Sequence, residues 1–492
     1  MSEQEREARR ARLAALRDRG VDPYPARVGA WQPLAEIRAR FDAHDAASLD
    51  ASPQRVAVVG RIMAARSFGK LLFLRIVESG ASIQISAKKN QLSAERFAFI
   101  RELDVGDVAR FEGTLWRTQT GELTVDASDA TLLAKSLRGL PEKWHGLSDI
   151  DLRYRQRYLD LLVNEDARRI AVARSRTVSA VRRFLDARGF LEVETPTLQP
   201  LYGGAAARPF VTRHNTYDQE LYLRISDELY LKRLVVGGLD RVYEIGHDFR
   251  NEGVSRKHNP EFTMMECYQA YADYRDIMEL VESMLREVAL EVRGTLQLEY
   301  AGRKIDLGAP WPRVPLCEAV AAATGLDVLA FADADALRAA IRERGLGAGD
   351  APTWATLVDD LVSDHVEPTL IEPTFLTDHP VELSPLAKRS SADPRLVERF
   401  ELFVAAMEIA NAFSELNDPD DQRARMEQQA RGHAQGDEQA HPIDEDYLRA
   451  LEHALPPTGG LGLGIDRLVM VLADAPNIRE VILFPHLRAE SS

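Results

Sequence analysis

The sequence predicts an α+β protein with a small all-β domain followed by a larger mixed domain. Three observations carry this prediction. The chain has 492 residues, too many for one ordinary domain. Short alternating apolar runs separated by turns fill residues 55–135. Beyond them, amphipathic helical patterns are interspersed with further strand-like runs.

The composition is typical of a globular protein, with 45% hydrophobic and 28% charged residues. The first twenty residues are polar and lack a signal-peptide core, and no apolar run is long enough to span a bilayer, so we expect a cytoplasmic protein. A net charge of −15 argues against general polyanion binding but allows local basic patches. Cys267 and Cys317 lie in no CxxC or Cys/His cluster, which argues against zinc or a disulfide framework.

The first 54 residues predict a helical extension. Residues 3–19 form an Arg/Glu-rich pattern with Leu13 and Leu16 at helical spacing, and the pattern stops at Gly20. Its basic face is either a solvated surface or an arm that contacts phosphates.

Residues 55–139 predict a small closed barrel of the OB type. Five strand-like runs occur in this region, with a helix-like insert at Ser93–Glu102; the runs are "RVAVVGRIMAARS", "KLLFLRIVE", "ASIQISAKK", "VARFEGTLWR" and "GELTVDAS". Such barrels often bind single-stranded nucleic acid by stacking bases on aromatic side chains. Most aromatic residues of a small barrel belong to its core, so Phe73 taken alone is weak support for that function.

Residues 140–162 predict a linker, and residues 163–492 predict the second domain. Its first clear element is an amphipathic helix at 171–189. An Ala-rich helical stretch at about 307–380 is typical of an insertion that carries little chemistry. Strand patterning returns at 400–418, and the chain closes with the glycine-rich "GGLGLGIDR" and a helix at 468–472.

Two stretches of the second domain contain charges that a purely structural role explains poorly. In "FRNEGVSRKHNPEFTMMECYQAYADY" (249–274), strand alternation puts Glu266 on the same face as Phe262 and Tyr268. A carboxylate there is costly unless a cation meets it. Arg467, at the start of the closing helix, opposes the helix dipole, and a ligand phosphate would remove that conflict. The chain has neither a P-loop nor a GxGxxG fingerprint after a strand.

These segments resemble a known family. "RGFLEVETPTLQP" (188–200), the arginine of "FRNE" and "GLGLGIDR" resemble the three signature motifs of class II aminoacyl-tRNA synthetases. "GGAAARPF", "ELYLKRL", "HNPEFTMMECYQAYADY" and "NAFSELND" narrow the resemblance to lysyl-tRNA synthetases of the bacterial type, over essentially the whole chain. The family fold is a six-stranded antiparallel sheet flanked by helices.

The resemblance implies an ATP site with Mg²⁺ as the cofactor. Arg250 and Arg467 are the implied catalytic residues, with Arg250 holding the α-phosphate and the amino-acid carboxylate. The implied ATP-binding residues are Arg250, Glu252, His258, Asn259, Phe262, Glu408 and Arg467. Glu401 and Glu408 are the implied metal ligands, and hard oxygen ligands suit Mg²⁺.

The resemblance also implies a lysine pocket, formed by Gly204, Glu228, Glu266, Tyr268, Asn411, Phe413 and Glu415. A pocket rich in carboxylates and without a facing arginine suits a cationic amino acid. In the barrel, Phe73 and Gln84 match positions that stack on and read the central anticodon uridine. Asp129 is a looser match to a third anticodon position.

One departure from the family is visible. Many relatives carry Gly-Gly and a basic residue before the position of Glu408, whereas this chain has Ala405, Ala406 and Met407. Ala restricts a turn that Gly leaves free, so the departure bears on ATP affinity.

The expected activity is ligation of L-lysine to tRNA(Lys) with ATP, through lysyl-adenylate, by a homodimer built on the first signature motif. Two alternatives are an enzyme that lysylates a protein, whose relatives lack the barrel, and a catalytically silent paralogue that binds tRNA. The presence of residues 55–135, and of both arginines and both metal carboxylates, argues against them.

Overall fold

The computed structural model describes residues 3–141, 147–347, 351–434 and 442–490. The chain divides into two compact units, Met1–Glu165 and Asp166–Ser492. The predicted linker at 140–162 includes residues 142–146, which lie outside the described residues. No helix within the described ranges is long and apolar enough to cross a membrane.

The first unit contains a closed five-stranded barrel in the order β1-β2-β3-β5-β4. Its strands are β1 (Arg55–Phe68), β2 (Leu71–Glu78), β3 (Ala81–Lys88), β4 (Val108–Arg117) and β5 (Leu123–Ala134). Its helices are α1 (Glu3–Asp18), α2 (Leu34–Phe41), α3 (Ala46–Ala51), α4 (Ala94–Glu102), α5 (Ile150–Arg155) and α6 (Arg157–Val163). Alternate strand residues fill the interior. The predicted barrel and its helical insert are therefore confirmed.

Part of the basic face of α1 is bound to protein groups. Arg9 is buried and donates to the carbonyl oxygen of Val105 at 3.0 Å. Arg12 forms an ion pair of 2.9 Å with Asp104. These arginines anchor α1 to other protein groups. The sequence suggests either a solvated surface or a phosphate-contacting arm for this face, and neither interpretation includes this role.

The second unit is built on an eight-stranded sheet in the order β14-β15-β16-β17-β18-β11-β10-β6. The bounds of its strands are β6 (Leu191–Glu192), β7 (Leu198–Gln199), β8 (Val211–His214), β9 (Gln219–Leu223), β10 (Arg241–Phe249), β11 (Glu261–Ala270), β12 (Gln297–Tyr300), β13 (Arg303–Asp306), β14 (Arg313–Pro315), β15 (Thr374–Pro380), β16 (Leu396–Val404), β17 (Met407–Ser414) and β18 (Thr458–Gly464). The six central strands are antiparallel, and β14 and β6 pair in parallel at the two edges.

The helices of this unit are α7 (Glu165–Asp186), α8 (Glu228–Val236), α9 (Tyr274–Arg293), α10 (Leu316–Thr324), α11 (Ala334–Glu343), α12 (Trp354–Leu361), α13 (Pro419–Ala434), α14 (Glu445–Glu452), α15 (Ile465–Ala473) and α16 (Ile478–Val481). Helices α7, α9 and α15 bury their apolar stripes against one face of the sheet and form the main core. The α+β class is confirmed.

Several boundaries differ from those read in the sequence; α15 (Ile465–Ala473), for example, extends beyond the predicted 468–472 at both ends. Helix α7 begins at Glu165 and ends at Asp186, earlier at both ends than the predicted 171–189. The stretch at 307–380 does contain α10–α12 with their own apolar cluster, but its ends are β14 and β15 of the main sheet. Strand β14 has only three residues and β15 is almost continuously buried, so neither shows an apolar period that would separate it from helix.

Candidate active site

The strand register puts the predicted pocket residues on one face of the sheet. Opposed residues of neighbouring strands point to the same face. One such row crosses five strands and consists of Glu244, Glu266, Gly462, Asn411 and Glu401. The adjoining row contains Tyr268, Gly460, Phe413 and Arg399. The apolar residues between the glycines, Leu461 and Leu463, point into the core on the opposite face.

The glycines of β18 leave room for these side chains. A Cβ at Gly460 would overlap Glu415 Oε1 and would lie 2.6 Å from the Tyr268 ring. Any side chain at this position would therefore fill the pocket. This contact explains a glycine-rich strand that is not a phosphate-binding loop.

Glu266 is met by neutral donors rather than by a protein cation. Its carboxylate accepts hydrogen bonds from Ser226 Oγ at 2.8 Å, from the Asp227 amide at 3.2 Å and from the Tyr268 hydroxyl at 3.0 Å. Burial, with Asp248 nearby, raises the pKa of Glu266 to about 8. The cation that the sequence calls for is therefore not supplied at Glu266 by the residues that the structure describes.

Gly204 and Glu228, two of the residues predicted for the amino-acid pocket, lie close together. Gly204 has φ +91°, and a Cβ there would lie 2.8 Å from Ser226 Oγ and 3.3 Å from the Glu228 Cβ. Glu228 opens α8, and one turn later Lys232 meets it at 2.5 Å. Lys232 also pairs with Glu415.

Sequence reasoning missed Lys232 because it read "ELYLKRL" only for its glutamate. The Glu–Lys spacing of four residues, which brings two side chains to one helix face, is the signal that could have found it. The sequence predicts a pocket without a facing arginine. In the structure, Lys232 stands between two of its carboxylates and Arg399 donates to Asn411, so the pocket does contain cations.

A buried acidic cluster supports the loop that binds Glu266. Arg224 lies 2.8 Å from Asp227, 2.5 Å from Glu244 and 3.4 Å from Asp248. Burial raises the pKa of Asp227 to about 10 and that of Asp248 to about 6. A single guanidinium thus pairs with three carboxyl groups. They can lie close together because protonation of part of the cluster reduces their mutual repulsion.

The predicted catalytic arginines lie on either side of β11. The Arg250 guanidinium is 3.4 Å from the Ile225 carbonyl oxygen and 5.1 Å from the Phe262 ring centroid. Arg467 donates to the Glu408 carbonyl at 2.8 Å and to its carboxylate at 3.2 Å. The 3.4 Å contacts of Arg250 are long, and among the described residues they leave most of its five N–H donors available.

His258 is a neutral imidazole, and its contacts indicate which ring nitrogen carries the proton. Burial, and then the positive charge of Arg467, lower its pKa. Arg467 lies 3.0 Å from Nε2 and can only donate, so the ring proton is on Nδ1, which donates to Ser255 Oγ at 2.8 Å.

The other predicted ATP residues lie in different environments. Asn259 is buried and donates to the Glu261 carbonyl oxygen at 2.6 Å, while its Oδ1 meets no donor within the described part of the chain. Glu252 is exposed and lines a shallow pocket with Arg208, Asn251 and Gly253.

The predicted metal carboxylates carry different partners. Arg399 donates to Glu401 at 2.6 Å and to Asn411 at 3.1 Å, and so ties a predicted metal ligand to a predicted lysine contact. Desolvation of the half-buried Glu401 carboxylate opposes its ionisation, but Arg399 and His379 lower its pKa to about 2. The described residues contain no group of three or more side chains that could hold a metal ion. Two carboxylates that need phosphate oxygens to complete the shell fit Mg²⁺.

The departure from the family at Ala405, Ala406 and Met407 lies at the turn between β16 and β17. Ala405 and Ala406 have φ +57° and +60°, the positive values that a two-residue hairpin turn requires. Their amides donate to the carbonyl oxygens of Ile371 and Leu370 at 2.8 Å, and Lys257 Nζ donates to the Ala406 carbonyl at 2.7 Å. These bonds offset the strain of two left-handed alanines.

The predicted anticodon residues lie on the outer surface of the barrel. Phe73 on β2 is half-buried and out of phase with the inward Leu72 and Leu74. Gln84 on β3 donates to Thr124 Oγ1 at 3.2 Å. Because Phe73 pairs with Ser86, two residues from Gln84, both side chains share one face.

Two further barrel residues bear on this surface. Phe68, which is 64% exposed, meets the Phe73 ring edge-on with centroids 6.3 Å apart, and sequence reasoning missed it. An exposed aromatic next to a glycine turn is the signal that could have found it. Asp129, the looser match, forms an ion pair with Arg96.

Comparison with known proteins agrees with this geometry. The family model "tRNA synthetases class II (D, K and N)" matches residues 149–488, and the model of an OB-fold nucleic acid binding domain matches residues 56–133. The chain therefore belongs to the class II tRNA synthetases, and the resemblance found in the sequence is confirmed.

Curated relatives narrow the family. Proteins named lysine–tRNA ligase from Chloroflexus aurantiacus, Pelotomaculum thermopropionicum and Staphylococcus aureus are 54%, 50% and 49% identical to this chain. Each match covers 98% of this chain, and 98%, 94% and 97% of the respective relative. Within the class II family, the chain belongs with the lysine–tRNA ligases.

Proposed function

We propose that the protein is a lysine–tRNA ligase that activates L-lysine with ATP and transfers the lysyl group to the 3′ end of tRNA(Lys). One observation carries this proposal: Glu228, Glu266 and Glu415 are all at least 94% buried around one pocket. Buried carboxylates are costly unless cations meet them, and a free amino acid with two ammonium groups suits such a pocket.

The pocket binds lysine from both ends. Glu228 and the Gly204 carbonyl receive the α-ammonium, with Glu266 beside them. Glu415 receives the ε-ammonium, while Tyr268, Asn411 and Phe413 enclose the side chain. The Arg250 guanidinium lies 3.4 Å from the Ile225 carbonyl, next to the Ser226–Asp227 turn that holds Glu266. This position supports the proposal that Arg250 binds the α-carboxylate.

Activation is attack of the lysine carboxylate on the α-phosphorus of ATP, with pyrophosphate leaving. Arg250 bridges carboxylate and α-phosphate and stabilises the charge that develops, so no side-chain nucleophile is required. Phe262 stacks on adenine, with Glu252 and Asn259 at the base edge. Arg467 and the neutral His258 bind the distal phosphates. The terminal ribose hydroxyl of tRNA then displaces AMP and takes the lysyl group.

Glu401 and Glu408 would hold Mg²⁺ on the phosphates. Bound there, the ion would neutralise phosphate charge. Arg399 keeps Glu401 ionised and fixes its direction through the 2.6 Å hydrogen bond.

The barrel binds the anticodon through Phe73 and Gln84. Stacking on Phe73 supplies energy with any base, whereas the Gln84 amide selects by its hydrogen-bond pattern. Phe68 widens the aromatic surface next to Phe73.

The protein acts as a homodimer in the cytoplasm. Strand β6 is an edge strand with both side chains exposed, and Leu191 is 52% exposed. With Leu239 and Tyr271 it lines one groove. An exposed apolar edge of this kind is unfavourable unless it is covered, and a second copy would cover it.

Lysine-dependent ATP–pyrophosphate exchange, followed by charging of purified tRNA, tests the proposal. A lysine–tRNA ligase gives both activities. A protein-lysylating enzyme exchanges pyrophosphate but does not charge tRNA, and a silent paralogue that binds tRNA gives neither activity.

A further inference from the structure

Lys232 is a fully buried cation that the reaction outlined above does not use. Its ammonium meets Glu228 at 2.5 Å and also pairs with Glu415. It lies 5.4 Å from the centre of the Phe413 ring and 6.0 Å from that of Tyr268. Four of the residues assigned to the lysine pocket therefore surround an ammonium group of the protein itself.

Burial raises the pKa of Glu228 and of Glu415, and the Lys232 ammonium opposes that rise. Without it, the pKa of each carboxyl group would rise further, and each would be a weaker counter-ion. Glu415 Oε1 meets no hydrogen-bond donor among the described residues, so this oxygen remains for a ligand. The titratable or charged groups that face this cluster are Glu228, Glu266, Tyr268, Arg399, Glu415 and Tyr447.

We propose that Lys232 is a positioning residue for the amino acid: its ammonium bridges Glu228 and Glu415, fixes their separation and supplies a counter-charge to both. When Glu266 also gives up its proton to bind lysine, three carboxylates and one ammonium leave the pocket two formal negative charges, one for each ammonium group of the substrate. The bridge thus matches the pocket both to the charge and to the length of its substrate. This inference rests on the proposed roles of Glu228 and Glu415.

The test replaces Lys232 with Met, which has a similar length and no charge. We expect the KM for lysine in pyrophosphate exchange to rise about 10- to 100-fold, the range of one charge-assisted hydrogen bond, with a smaller change in kcat. The rise of kcat/KM with pH should also move to higher pH, because the carboxylates then bind protons more tightly. Lys232→Gln keeps an N–H donor for the carboxylates and serves if the Met variant does not fold.

Lys135 provides a matched control in the barrel. Its side chain is 1% exposed and its ammonium bridges Asp104 and Asp107 at 2.5 and 2.8 Å. Lys135→Met should lower the melting temperature but leave the lysine KM and the pH profile of exchange unchanged. A merely structural Lys232 would behave in the same way.

Two results would overturn the inference: a neutral Lys232 variant with the wild-type KM and pH profile, or one with a lower KM, which would make Lys232 a competitor of the substrate. Glu415→Gln separates this failure from failure of the proposed site. If Glu415→Gln impairs activation and Lys232→Met does not, the pocket stands and only the bridge is wrong. If Glu415→Gln is also without effect, the proposed pocket is wrong.

Discussion

Replacing Glu415 with Gln should impair lysine activation selectively. Glu415 is 2% exposed, and one of its oxygens pairs with Lys232. Because Lys232 can only donate, it fixes the orientation of the new amide, whose carbonyl must face Lys232. The NH₂ group then replaces Oε1 and presents a donor to the substrate ammonium, which is also a donor.

The expected loss follows from this geometry. A buried ammonium that loses its counter-ion costs on the order of 3–5 kcal/mol. At roughly 1.4 kcal/mol for each factor of ten, kcat/KM for lysine should fall by on the order of 10²–10³. A neutral isostere of lysine, poorly activated by the wild type, never used the charge and should lose little.

Pyrophosphate exchange with both amino acids, together with a thermal melt, measures this selectivity. Glu282→Gln is the control, since it removes a carboxylate that pairs with Arg286 at 2.8 Å on α9, away from the pocket. Near-wild-type kcat/KM for lysine in Glu415→Gln would refute the reasoning. Equal losses for both substrates with a lowered melting temperature would show that Glu415 is structural.

Three further predictions concern the turn, the barrel and pH. Changing Ala405 or Ala406 to Gly should raise the free energy of unfolding by about 0.5–1 kcal/mol each, because Gly adopts positive φ without the Cβ penalty but loses more chain entropy; thermal melts measure it. Phe73→Ala should remove a stack of about 1–3 kcal/mol and weaken tRNA charging, with pyrophosphate exchange nearly unchanged. Because burial raises the pKa of Glu266 to about 8, kcat/KM for lysine should increase up to about pH 8. In the free protein, the folded state keeps a Glu266 proton that the unfolded state loses, so this group makes stability fall as pH rises from about 4.5 to about 8.

Each of these predictions has a result that contradicts it. A lower melting temperature in the Gly variants, like that expected of the helical control Ala340→Gly, would mean that the turn is not strained. Parallel loss of exchange and charging in Phe73→Ala would make Phe73 a core residue. Glu266→Gln should remove the contribution of Glu266 to the pH dependence of kcat/KM and to that of stability. If both pH profiles stayed as in the wild type, Glu266 would not be their source.

The linear sequence is enough to predict the order of most elements and the residue types that each one offers for chemistry. The strands of the barrel follow from alternation with period two, and Glu266 and Tyr268 share a face for the same reason. The signature segments can be matched to a family because the match depends only on residue types and their spacing along the chain. Alternation, residue type and spacing are local properties, so they can be read from the sequence alone.

Which charged side chains meet depends on how the chain folds in three dimensions. Glu228 and Glu415 are 187 positions apart along the numbering, yet both bind Lys232. The need for glycine at position 460 comes from Tyr268 on β11 and from Glu415, just after β17, whose side chains occupy the space that a Cβ would fill. The positive φ of Ala405 and Ala406 is held by amide hydrogen bonds to carbonyl groups at 370–371. Ion pairing and packing depend on distances through space, which strand register and helix docking set and the linear order of residues does not.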